Sequence, residues 1–154
     1  MKELVRLLAT LGPVGYFPVA PATAASAVTA LVGYFLPVPP WPVALLLIAA
    51  GACLAIGACG AAEQQLGHDA KPIVADEVVG QTVALLFVEH NAFAFLGSFI
   101  LFRVFDVWKP LGANQAQRLP GGLGVVMDDV IAGLTACGVL HLGLWGAHAA
   151  GWIR

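Results

Sequence analysis

From Leu7 through Ala62 the chain carries no Asp, Glu, Lys or Arg, and from Val130 through Ile153 it again carries none. Roughly eighteen apolar residues in a row without charge are enough to cross a bilayer as a helix. The segment "WPVALLLIAAGACLAIGAC", Trp41 to Cys59, meets that requirement. The segment "VIAGLTACGVLHLGLWGAHAAGWI", Val130 to Ile153, meets it with two histidines, His141 and His148, and several glycines. Glycine is more frequent in spanning helices than in soluble ones. A buried helix of a soluble oligomer would satisfy the same pattern, but composition favours the membrane. The chain is 60% hydrophobic and 10% charged, where a soluble domain carries about 25% charge.

The 154 residues suit one domain, and no β-strand alternation or full internal repeat is visible. The expectation is an all-α, multi-helical bundle with membrane-embedded helices, spanning residues 1–154. A net charge of −2 without a basic run excludes nucleic acid as partner. Cys53, Cys59 and Cys137 lie singly in apolar segments, which suggests neither a disulfide framework nor a zinc site. The N-terminal "MKELVRLLATLG" has no cleavage pattern after an apolar core and reads as mature protein.

Helices are expected from Glu3 to Gly12, from Ala24 to about Leu36 capped by Thr23 or Ser26, and from Val43 to about Leu66. Val78 to Val88 and Asn91 to Phe105 form two further apolar runs, with a turn at Glu89 and His90. Each is too short for a comfortable crossing. "KPLGANQAQRLPGG" has loop chemistry, and a last helix is expected to start near Met127 or Asp128. Asp76 and Gly80 are four residues apart, as are Asp129 and Gly133, so each glycine shares a helix face with an aspartate.

Nine of the sixteen charged residues fall in three motifs at the ends of apolar segments. They are "HDAKPIVADE" with His68, Asp69, Lys71, Asp76 and Glu77, "FRVFDVWKP" with Arg103, Asp106 and Lys109, and "MDD" with Asp128 and Asp129. Gathered on one side, these carboxylates would repel one another unless a cation joined them. Oxygen-only ligation favours Mg²⁺, Mn²⁺ or Ca²⁺ over zinc. Arg103 and Asp106 share a helix face and Lys109 follows one turn on, a grouping suited to a phosphate held over a metal. Plainer roles exist for each part: N-terminal caps for the acidic pairs, an ordinary salt bridge for Arg103–Asp106, a solvated turn for His68. These residues alone leave an enzyme and a non-enzymatic ion carrier or scaffold both open.

Together, "GYFPVAPATAAS", "HDAKPIVADEVVG", "FRVFDVWKP" and "GGLGVVMDDVIAG" resemble the phosphatidylglycerophosphatase A family in order and spacing. The resemblance implies a Mg²⁺-dependent phosphatase that converts phosphatidylglycerophosphate to phosphatidylglycerol in the bacterial inner membrane, its site facing the cytoplasm. It implies catalytic roles for Asp76, Asp106, Asp128, Asp129 and His68. It implies metal ligands among Asp76, Glu77, Asp106, Asp128 and Asp129, and substrate contacts from Arg103, Lys109 and Thr23. Attack by water and attack by an aspartate both stay open, as does a homo-oligomer. Two positions depart from the family pattern, Ala22 and Ala25, where glycines are expected. A CDP-alcohol phosphotransferase also pairs aspartates in membrane helices, but its "DGxxAR" spacing is absent.

Overall fold

The computed structural model describes residues 2–67, 70–109 and 111–151. Among them the chain is all-α, with seven α-helices and no strand. These are α1 (Lys2–Ala9), α2 (Pro21–Phe35), α3 (Trp41–Leu66), α4 (Ala75–Ala84), α5 (Ala92–Trp108), α6 (Ala113–Ala116) and α7 (Gly122–Ala149). A 3₁₀ turn, Val14–Tyr16, joins α1 to α2.

Several boundaries differ from the sequence expectation. Helix α2 starts at Pro21, because proline's fixed φ and missing N–H suit a first helical turn. Thr23 and Ser26 therefore lie inside the helix and cap nothing, and the Ser26 hydroxyl donates back to the Ala22 carbonyl at 2.9 Å. Helix α7 starts at Gly122, so Asp128 and Asp129 sit in its second turn rather than at its N-terminus. Helix α4 takes in Asp76 and Glu77 in its first turn, where the helix dipole favours negative charge. It ends at Ala84, short of the expected Val88, and Phe87 turns the chain with φ +60°. The polar stretch read as loop contains α6. Asn91 caps α5 by accepting from the Phe93 N–H at 2.8 Å.

Helices α3 and α7, with 26 and 28 residues, are long and apolar enough to cross a membrane. At 1.5 Å per residue they reach roughly 40 Å, against about 30 Å of hydrocarbon. The ten residues of α4 reach only partway, as its short apolar run foretold. Helix α3 buries small residues, Ala55, Ala58, Cys59 and Ala62, and turns Leu46 and Leu54 outward at 69% and 72% exposure. Small residues inward and leucines outward is the pattern of a helix that meets both neighbours and lipid. It supports membrane association.

Helix α4 is the hub, packed by α7, α3, α2 and α5. It meets α7 glycine to glycine. A Cβ on Gly80 would lie 2.6 Å from the Phe102 ring and 2.8 Å from the Asp129 carbonyl, and one on Gly133 would strike the Gly80 carbonyl. Phe102 is fully buried at this junction. One turn before the two glycines stand Asp76 and Asp129, so the closeness of the backbones is what brings the carboxylates together.

Replacing Gly133 by Ala should thus destabilise the protein by roughly 1–3 kcal/mol, the usual cost of overpacking. Gly138→Ala, where a Cβ meets nothing within 4 Å, should be neutral or stabilising by up to about 1 kcal/mol. Thermal melts of both variants in detergent check this, and equal melting points would contradict the close crossing.

Candidate active site

Four elements bring the charged motifs to one end of the bundle. Helix α4 supplies Asp76 and Glu77, the end of α5 supplies Asp106, the residue after it supplies Lys109, and α7 supplies Asp128 and Asp129. All six line one cavity of about 260 Å³, together with Val107, Gln117 and Val125. The Lys109 backbone is left-handed, φ +51°, which ends α5 and turns the chain at the cavity rim.

The carboxylates divide into groups. Asp76, Glu77 and Asp129 each offer an oxygen within 4.8 Å of the others. All three are at most 8% exposed. In each, one oxygen is buried without a hydrogen-bond partner among the described residues: Asp76 Oδ1, Glu77 Oε2 and Asp129 Oδ2. A buried carboxylate oxygen left bare is costly. Three such carboxylates within reach of one another fit a divalent cation bound through oxygen, and the cluster can coordinate one.

Asp128 is engaged differently. Its Oδ2 pairs with the Lys109 ammonium, and its Oδ1 accepts from the Asp129 N–H at 3.1 Å. Asp106 pairs with Arg103, Nη1 to Oδ2 at 3.0 Å, and the same Nη1 donates to Ser26 Oγ at 3.3 Å.

Burial, then the facing Glu77 charge, holds the Asp76 carboxyl well above the usual carboxylate range. Burial also raises Glu77, against the hydrogen bond from Asp76. For Lys109, burial works against the charged form, but the bond to Asp128 and the charges of Asp106 and Asp129 outweigh it and leave its pKa raised. Lys109 is thus a firmly held cation beside the acidic cluster.

Sequence expectation and structure differ in part here. Arg103 and Thr23, expected at the substrate, are not among the residues lining the cavity. Arg103 is taken up by Asp106 and Ser26, and Thr23 is half-buried in the first turn of α2. His68 and Asp69 lie outside the described residues. Gln117 was not foreseen. It follows α6, in a stretch whose Gly and Pro spelled loop, and nothing local marked it as facing the site. Ser26 was weighed only as a cap.

The profile of the family described as phosphatidylglycerophosphatase A matches residues 7–144. The chain is 30% identical over 130 residues to a phosphatidylglycerophosphatase A of Escherichia coli strain K12, covering 82% of this chain and 76% of that protein. It is 34% identical over 143 residues to a putative phosphatidylinositol-3-phosphatase of Bacteroides thetaiotaomicron, covering 85% and 87%. A phosphatidylglycerophosphatase A of Haemophilus influenzae is 33% identical over 99 residues, 61% of each chain. No solved structure matches. The matched span contains every motif that lines the acidic cavity, and on that ground the chain belongs to the phosphatidylglycerophosphatase A family.

Proposed function

We propose that the chain is a Mg²⁺-dependent lipid phosphatase that hydrolyses the phosphate monoester of phosphatidylglycerophosphate, giving phosphatidylglycerol and inorganic phosphate. It would act as one domain over residues 1–154. The observation that carries this is the set of three buried carboxylates within ligand distance of one another, each with a bare oxygen, beside a paired lysine in a chain of this family. The alternative of an ion carrier or scaffold shares the cluster but gives Lys109 no task. A cation at Asp76, Glu77 and Asp129 would supply the charge that polarises a phosphoryl oxygen and makes a water acidic.

The residues then divide the work. Asp76, Glu77 and Asp129 hold the cation. Lys109, steadied by Asp128, presents its ammonium to the phosphoryl oxygens as charge builds on them. The Gln117 amide, neutral and at the same cavity, is placed to donate to the phosphoryl group or the glycerol. Asp106 lines the same cavity, paired with Arg103, and would steady the outer shell of the cation and orient the attacking group there.

The two adjacent aspartates should therefore fail differently. Asp129→Asn keeps the shape and removes a ligand, so the Mg²⁺ needed for half-maximal phosphate release should rise by about a hundredfold or more. Asp128→Asn frees Lys109 and should act mainly on KM for the lipid and on kcat, with a smaller change in Mg²⁺ demand. Phosphate release from phosphatidylglycerophosphate, phosphatidic acid and phosphatidylinositol 3-phosphate in detergent, against Mg²⁺ concentration, measures both and ranks the substrates. No release from any of them would return the chain to the carrier class.

Stability should also depend on pH in a set direction. Asp76 and Glu77 bind protons more tightly folded than unfolded, so their contribution is fully present below the unfolded carboxylate pKa, about 4. It is lost as pH rises through the raised folded values. Metal-free protein should melt lower at about pH 8 than at about pH 5, and Mg²⁺ should raise the melting point more at the higher pH. A metal-free melting point that climbs with pH would contradict the bare cluster.

For location we propose the bacterial inner membrane with the acidic end facing the cytoplasm, where the phosphorylated headgroup is made. Lys71, Arg103, Lys109 and Arg118 cluster in or beside the polar segments, in keeping with the positive-inside rule. A Gln115→Cys variant should react with an impermeant thiol reagent only after cells are opened, with the unaltered protein as control. Labelling in intact cells would reverse the orientation.

A further inference from the structure

We propose that Ser26 and Arg103 form a positioning relay that fixes the Asp106 carboxylate, so that α2 serves the reaction without touching substrate. The inference rests on the phosphatase reading and assigns a task to a helix that contributes nothing to the cavity wall.

Asp106 stands in a hostile place. Glu77, Asp128 and Asp129 are all near enough to act on it by charge. A carboxylate among like charges turns away from them unless it is held. Part of the hold comes from the nearby Lys109 charge and from contact with the Asp129 carboxyl, and the closest cation is Arg103, whose Nη1 lies 3.0 Å from Asp106 Oδ2. An i,i+3 ion pair on one helix is weak when exposed, but here the two side chains are only 16% and 15% exposed.

The guanidinium is itself held. Its Nη1 also reaches Ser26 Oγ at 3.3 Å, across 77 positions of sequence. One nitrogen thus serves both neighbours, by a hydrogen bond to Ser26 and by charge to Asp106. Ser26 is fully buried, and its own hydrogen goes to the Ala22 carbonyl at 2.9 Å. Its lone pairs are left to accept from Arg103. The order of contacts is set: Ser26 donates to α2's backbone, Arg103 donates to Ser26, and the same guanidinium nitrogen forms the ion pair with Asp106. The guanidinium also lies 5.7 Å from the centre of the Phe102 ring, the ring wedged against Gly80. Arg103 does not line the cavity and Asp106 does, so Arg103 acts through Asp106.

Three variants test this in detergent: Ser26→Ala, Arg103→Gln and the two combined. Two readouts are needed, phosphate release from phosphatidylglycerophosphate and Mn²⁺ affinity of substrate-free protein by electron paramagnetic resonance. Circular dichroism confirms that each variant is folded. Ser26→Ala should lower kcat roughly tenfold, leave KM for the lipid within about twofold, and weaken Mn²⁺ binding several-fold. Arg103→Gln should lower kcat by the same factor or more, and the double variant should be no worse than Arg103→Gln alone. Ser26→Ala with unaltered kcat and Mn²⁺ affinity would overturn the relay, whatever its melting point. So would Arg103→Gln that raises KM and spares kcat, since Arg103 would then grip phosphate directly. If the unaltered protein released no phosphate, the functional reading would fall. The Mn²⁺ comparison would still decide the relay.

Discussion

Five carboxylates line a cavity whose walls are helices, and among its lining residues only Lys109 is positive. Everything else in the structure answers that imbalance. Charges near a low-dielectric interior raise each other's energy unless they are paired, protonated or joined by a cation. Asp128 takes the lysine and Asp106 takes Arg103. Asp76, Glu77 and Asp129 are left, each with a bare oxygen, and the surplus falls in one spot. A protein selected for stability alone would replace such residues with apolar ones of similar size. Their presence together marks a place where stability gives way to chemistry.

Holding the surplus in one spot requires helices that cannot slide. The Gly80–Gly133 crossing does this, because the absence of two Cβ atoms lets α4 and α7 touch backbone to backbone. In a bilayer there is little hydrophobic gain in bringing helices together, so close contact and dispersion carry association. Helix α3 uses the same means, with alanines and Cys59 inward. The site is thus placed by small residues, while the large apolar ones are left to face outward.

Much of this was legible beforehand. Two charge-free runs gave the long helices, because hydrocarbon thickness sets a length that sequence can meet or miss. The acidic motifs and the four-residue spacing of Asp76–Gly80 and Asp129–Gly133 pointed to a shared site, and the structure makes that spacing a helix crossing. What escaped was decided by contacts between distant parts of the chain. Asp128 and Asp129 read as a helix start because three glycines and two β-branched valines dominate "GGLGVV", yet packing of Gly122 against Ile56 and Gly60 of α3 carries α7 back to residue 122. Gln117 was hidden in a loop-like stretch that folds as α6. The pairing of Ser26 with Arg103 spans 77 positions and has no local signature.

The departures at Ala22 and Ala25 find their explanation in the same place. The family pattern expects glycine at both positions. The segment is helical from Pro21 onward, with Ala25 buried and Ala22 half-buried. Inside a helix alanine is better than glycine by about 1 kcal/mol. The Ala22 carbonyl remains free to accept from Ser26 whatever side chain the residue carries. No residue of α2 lines the acidic cavity, so the added methyl groups cannot crowd a ligand there. The two alanines stiffen the first turn of the helix that positions Ser26, and through Ser26 and Arg103 they stand behind Asp106 rather than in front of the phosphate.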